Sequence, residues 1–261
     1  MVIRRIREHV ATHNWFAVGI DLLIVIVGVF LGTQVSNWNQ ARIEAEQGRE
    51  YRQRLIGELD FNRRQFAQQQ RYYRQVLDHG LRAIAALDSG ESVNSSDFLV
   101  NAYQLSQIDP TSPKTFIYDE MVSSGLVSRI GGEELQETAS DYYVNIVTND
   151  RLMREVLPYR TTIRQLMPFA IQSTIRDRCG DRMVYDNKRL VGVALATKCN
   201  ATIAPAAAQQ AARRIAAHPG LRDEMTRYVA SIDEKLDVLA FNMVMTNRFI
   251  SDLSARSGSA A

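Results

Sequence analysis

From Trp15 to Val35 the chain reads WFAVGIDLLIVIVGVFLGTQV, 21 residues with one charge, Asp21. Leu22 to Leu31 has no polar side chain. As a helix rising ~1.5 Å per residue the segment reaches ~31 Å, the thickness of a bilayer's hydrocarbon layer. Trp15 and Trp38 flank it, where aromatic side chains favour the two interfaces. A buried core helix is one rival, disfavoured by the length and the aromatic flanks. A cleaved signal peptide is another, but Thr33 to Trp38 offers no A-x-A-like site. The expectation is an uncleaved signal-anchor over residues 15–36.

Composition limits what surrounds this segment. Of 261 residues, 23% are charged, with 31 Lys+Arg against 29 Asp+Glu for a formal charge of +2. The mean hydropathy is negative. These values exclude a multi-span protein and a highly charged disordered chain, and they argue against a dedicated nucleic-acid binder. Arg4, Arg5 and Arg7 precede the span with only Glu8 opposing, whereas Arg42, Arg49 and Arg52 lie further from its other end. The positive-inside rule then predicts a cytoplasmic N-terminus and a periplasmic bulk at a bacterial inner membrane.

Within the span, Gly28 and Gly32 form G-x-x-x-G and Ser36 extends the spacing. Small residues four apart share a helix face and admit a neighbouring helix; incidental glycines are the plain alternative. Asp21 is either a polar contact for a partner helix or an interfacial carboxylate near the basic flank. Residues 1–14 read as an amphipathic segment at the membrane surface, with Ile3, Ile6 and Val10 on one stripe and the arginines facing lipid headgroups. So short a segment is expected to hold no cytoplasmic signalling domain. His9 and His13 are four apart, but no further ligand stands nearby to complete a metal site.

Beyond Trp38 the pattern is helical. No proline occurs from Asn39 to Leu87, and Leu55, Leu59, Phe66, Tyr73, Leu77, Leu81 and Ile84 recur at spacings of threes and fours, with Asn62 and Gln70 between them. The partly polar stripe suits a bundle better than a homotypic coiled coil. Gly48 and Gly57 are candidate breaks in so long a helix. A short helix is expected over 97–107, another ending at Gly125, and another starting near Glu133. Pro158 and Pro168 should kink or split the helical stretch beyond it. The last helix should run from Leu221 to Leu253, packing through Leu221, Met225, Val229, Ile232, Leu236, Leu239, Met243 and Ile250 against residues 39–87.

Residues 179–199 differ. Met183-Val184-Tyr185 and Arg189-Leu190-Val191 flank Asp186-Asn187, which suggests a short β-hairpin. Cys179 and Cys199 are the only cysteines. Outside the cytoplasm they would form one disulfide; a reduced thiol pair is the alternative if the topology is reversed. The fold class expected is all-α: an N-terminal transmembrane helix, then a long-helix bundle over 37–254 with a small disulfide-closed β-hairpin or loop, and a disordered tail at 255–261.

Catalytic signatures are absent: no G-x-S-x-G, Walker motif, H-E-x-x-H or C-x-x-C occurs. His79 and His218 stand alone. Asp119-Glu120, Glu133-Glu134 and Asp223-Glu224 are sequence neighbours, which on a helix do not share a face. Arg63, Arg64, Arg71 and Arg74 with Phe66, Tyr72 and Tyr73 imitate a nucleic-acid surface, but a solvated helix face is the better reading.

Asn14 to Asp21, Val27 to Gly32 and Val35 to Asn39, followed by Tyr118-Asp119-Glu120-Met121, Ser123-Ser124-Gly125 and Asp141-Tyr142-Tyr143, resemble an uncharacterised family of small proteobacterial single-pass membrane-anchored helical proteins. The resemblance covers roughly a quarter of the chain and does not include the cysteine segment. It implies an anchor and a helical domain and brings no reaction with it. The expected function is therefore a membrane-anchored module for protein–protein interaction or assembly, without evident catalysis, metal or cofactor. Its expected partners are membrane lipid and another membrane protein or itself, with no nucleic acid. A periplasmic ligand-binding or sensor domain acting through a separate signalling partner is the alternative.

Overall fold

Uninterrupted by proline, the first helix, α1, covers Trp15–Asp88 without a break at Gly48 or Gly57 in this computed structural model, which describes residues 15–89, 95–196 and 198–258. The expected amphipathic segment with Arg4, Arg5, Arg7, His9 and His13 lies outside the described residues. The chain divides into two compact units, Met1–Arg52 and Gln53–Ala261, and α1 contributes to both.

In the first unit the span is helical and long and apolar enough to cross a membrane. The large side chains from Leu22 to Leu31 are 46–63% exposed, as lipid-facing residues are before a bilayer covers them. Trp15 and Trp38 are exposed at either end.

The second unit is a helical bundle with one hairpin. After α1 come α2 (Ser95–Leu105), α3 (Phe116–Ser123), a 3-10 turn at Val127–Ile130, α4 (Glu133–Met153), α5 (Pro158–Leu166) and α6 (Phe169–Cys179). The remaining elements are β1 (Arg182–Asp186), β2 (Arg189–Ala194), α7 (Pro205–Ala216) and α8 (Leu221–Gly258). Pro158 and Pro205 start their helices and Pro168 caps α6, positions where a missing N–H costs nothing. α3 ends in a Schellman motif: Leu126 N–H bonds the Met121 carbonyl, Gly125 N–H bonds that of Val122, and Gly125 takes φ 70°. α8 continues past the expected Leu253 to Gly258.

α4 and α8 run antiparallel, joined by Tyr142–Thr246 (3.1 Å) and Asn149–Asn242 (2.7 Å). α8 also lies along the distal part of α1, where Arg222 grips Asp88 and Val229 abuts Gly80. A Cβ on Gly80 would sit 2.7 Å from both Leu105 and Val229, so α1, α2 and α8 meet there at backbone distance. Leu55, Leu59, Phe66 and Tyr73 are buried as their spacing predicts. Leu81 is not: at 53% exposure it lies off the contact face, which turns past Tyr73 onto Val76, Gly80 and Ala83. On α8, Leu221, Met225, Ile232 and Leu239 are buried, and Tyr228, Asn242, Thr246 and Phe249 complete that face.

β1 and β2 pair antiparallel around Asn187 and Lys188, whose φ values of 46° and 65° match the tight two-residue turn that a twisted hairpin prefers. A bulge lies at Val184/Tyr185. The Cys179–Cys199 disulfide closes the segment, with Cα atoms 5.0 Å apart.

Candidate functional site

The most unusual feature of α1 is a row of buried polar side chains where an amphipathic helix would carry hydrocarbon. Glu58, Asn62, Gln65 and Gln69 succeed one another at steps of four, three and four, so they share one face, with Gln68 beside them; all are buried. Buried polar groups need partners; Asn62 and Gln69 find theirs on the connector between α2 and α3, Glu58 on α3 and α4, and Gln68 on β2, while the Gln65 Oε1 is buried without one. Asn62 donates to the Lys114 carbonyl and accepts from the Lys114 N–H, both at 2.8 Å. Gln69 donates to the Thr111 carbonyl at 3.0 Å. Glu58 accepts the Ile117 N–H at 2.8 Å and the Tyr143 hydroxyl at 2.6 Å. Gln68 reaches the Val193 carbonyl of β2 at 2.8 Å. A proline-bearing connector cannot pair in a sheet, so side chains of α1 supply the bonds a neighbouring strand would make.

Around Tyr143 the aromatic rings close. Tyr118 stacks on it with centroids 4.1 Å apart, and Tyr142 meets it edge-on at 5.0 Å. Tyr118-Asp119-Glu120-Met121 and Asp141-Tyr142-Tyr143, singled out in the sequence, therefore meet in space. Met121 is fully buried and Glu120 pairs with Arg54.

Beside this row, α3 and the connector border an open cleft of about 840 Å³. Gly57, Phe61, Phe116 and Ile117 form its apolar wall, and Arg54, Lys114, Arg189, Glu58 and Asp119 its charged members. The Lys114 ammonium sits 3.7 Å above the centre of the Phe61 ring. Asp119 accepts the Thr115 hydroxyl at 2.7 Å.

A second polar centre lies under the hairpin. Asp109 is buried; its Oδ1 accepts the Thr111 N–H and hydroxyl at 2.8 and 2.6 Å. Its Oδ2 faces the Gly192–Val193 backbone without a well-formed hydrogen bond. Gly192, at φ 152°, is required there, because a Cβ would come within 2.9 Å of Gln68. Burial pushes the Asp109 carboxyl above its ordinary value. Asp181 accepts the Tyr72 hydroxyl at 3.2 Å, and although the residue is exposed overall, desolvation of its carboxyl, with a further contribution from the nearby Asp109 charge, raises it to about 6. Desolvation and Asp181 push the Tyr72 phenol up, so it stays a donor.

The sign of the resulting pH effect is definite. Between the ordinary value of 3.8 and about 6, the native chain holds a proton on Asp181 that the unfolded chain has released. Stability from this group therefore falls as pH rises through that window. Asp181→Asn should be more stable than the parent at pH 7.5, by about 1 kcal/mol once exposure is discounted, and equal to it near pH 3.5. His79 acts in the opposite sense, since burial lowers it, but it is common to both proteins and cancels. Urea midpoints of the pair at the two pH values measure the difference.

The residues proposed from sequence for helix–helix contact lie in the first unit. Asp21, Gly28 and Gly32 fall within ~40° of one helical face at ~100° per residue, with Ser36 at its edge. All are exposed, and a Cβ added to Gly28 or Gly32 would meet nothing within 4 Å. His79 bonds Asn101 at 2.7 Å and His218 is half-buried. Phe66, Tyr72 and Tyr73 are buried, while Arg63 pairs with Asp60 and Arg64 with Asp186, so those aromatics do not face solvent beside the arginines. Among the described residues no three His, Cys, Asp or Glu gather as a metal site. No protein-family model matches the chain, and neither the curated proteins nor the solved structures contain a match.

Proposed function

We propose that this protein is a single-pass, inner-membrane-anchored helical module of a bacterium that binds a protein partner or a second copy of itself, with its bulk in the periplasm. It fits the family of small proteobacterial anchored proteins that its sequence resembles. The observation that carries the reading is the exposed apolar stretch of α1, on which Asp21, Gly28, Gly32 and Ser36 share an exposed face, with nothing among the described residues packed on the two glycines. A carboxylate and small residues on one face of a span favour close contact with another helix. The disulfide supports a non-cytoplasmic location for the second unit, because thiols stay reduced in the cytoplasm.

In-cell crosslinking at native expression, with identification of co-purified proteins, tests the assembly. Gly28→Ile with Gly32→Ile adds bulk where a Cβ meets nothing among the described residues, so it should leave the protein folded and inserted while abolishing the crosslinked species. A parent that remains monomeric and partnerless after crosslinking defeats the reading. Protease added to intact spheroplasts should digest the second unit; full protection would reverse the topology.

The cleft beside α3 favours a second reading, a ligand-binding domain that acts through a separate signalling partner. Its volume lies in the range of small-molecule sites.

A further inference from the structure

The cleft has a rigid charged rim. Lys114 is clamped through both of its backbone polar atoms to Asn62, and Ile117 is tied to Glu58. The wall is thus set by bonds to a helix and keeps its shape before any ligand arrives, which lowers the cost of binding.

The charges around it are not self-cancelling in space. Arg54 pairs with Glu120, and Glu58 is buried with both carboxylate oxygens engaged. That leaves Lys114 and Arg189, neither with an acidic partner among the described residues, and Asp119, whose bond there is to a neutral hydroxyl. Phe61, Ile117 and Phe116 lie among them, and Phe116, 70% exposed, is open to apolar contact.

We propose that the cleft binds a short apolar peptide with both termini free, its carboxylate taken by Arg189 and by Lys114 where it rests over Phe61, its ammonium by Asp119, and its side chains laid on Phe116 and Ile117. The two cations share the ligand's one carboxylate and Asp119 faces its ammonium, so each charge of a zwitterion meets an opposite charge. The volume exceeds what a single amino acid fills and suits two or three residues. This assignment rests on the ligand-binding reading and names the class of ligand for it; the interaction reading does not depend on it.

The test is calorimetric titration of the full chain in neutral phosphatidylcholine nanodiscs, with empty nanodiscs as blank. The probes are the dipeptide phenylalanyl-leucine, its C-terminal amide and its N-acetyl derivative. The dipeptide should bind, and each blocked form should bind at least about tenfold more weakly, as expected for loss of one charge-assisted contact. Lys114→Gln and Arg189→Gln should weaken the dipeptide by a similar factor and leave the amide unchanged. Asp119→Asn, which keeps an acceptor for Thr115, should weaken the dipeptide and leave the N-acetyl form unchanged. All three positions are exposed, and circular dichroism checks that the variants stay folded. Equal binding of the three probes would preserve a ligand site and overturn the zwitterion assignment. No binding by any probe at about 10 mM, above the ~1 mM dissociation constant of a weak ligand, would overturn the peptide assignment, and the ligand-binding reading would then stand or fall with other ligand classes.

Discussion

Glu58→Leu is expected to lower the unfolding free energy of the second unit by about 4 kcal/mol. The leucine fills the space but strands two donors, the Tyr143 hydroxyl and the Ile117 N–H, which now bond the carboxylate at 2.6 and 2.8 Å. Each buried donor left without a partner costs about 1–3 kcal/mol. Glu58→Gln keeps an acceptor and should cost about half as much. Adding Tyr143→Phe to Glu58→Leu removes one stranded donor and should restore about 1 kcal/mol, the opposite of what two independent lesions would do. Urea unfolding monitored at 222 nm on the detergent-solubilised chain reads all four proteins. A Glu58→Leu cost below about 1 kcal/mol would mean that the bonds from Glu58 to α3 and α4 carry no stability.

The second large effect is removal of the disulfide. Cys179 and Cys199 are 20 positions apart, and a loop of that length restricts the unfolded chain by about 3 kcal/mol. Paired replacement by serine should therefore shift the urea midpoint, and reduction of the parent by dithiothreitol should move it to the same place. Cys179 is buried at the end of α6, where its carbonyl accepts Gln104 at 2.6 Å. That bond keeps α6 docked, so the loss should fall on the hairpin side. Hydrogen exchange should quicken in β1 and β2 before α6.

The apolar parts of this architecture were open to reading in advance. Leu55, Leu59, Phe66 and Tyr73 recur at helical spacing, and the turn residues between the short Met183–Tyr185 and Arg189–Val191 segments announce the hairpin. Pro158 and Pro168 were expected to kink or split the helical stretch, and new helices begin at both. Leu81 misled because close packing around Gly80 recruits Gly80 and Ala83, and residues that small leave no hydrophobic stripe. The polar row on α1 was harder still. Glu58, Gln65, Gln68 and Gln69 look like the wet side of an amphipathic helix, and nothing periodic tells that a connector will cover them. Their partners are mostly backbone atoms, which every sequence has. Tyr118 and Tyr143 could be singled out from resemblance, but their stacking depends on how α3 meets α4. The cleft was invisible for the same reason: Lys114, Asp119 and Arg189 come from separate segments and form no motif.

The bonds from α1 to the connector have a consequence for how such a chain can drift. Asn62, Gln69 and Glu58 recognise the main chain of residues 111, 114 and 117, and the identity of the side chain there is irrelevant to the bond. Mutational freedom is thereby inverted from its usual distribution. Side chains of the irregular segment that make no bond of their own can change while the polar letters of a long helix stay fixed. Where this stretch of main chain runs is set by α1, and what it displays is left to the segment itself.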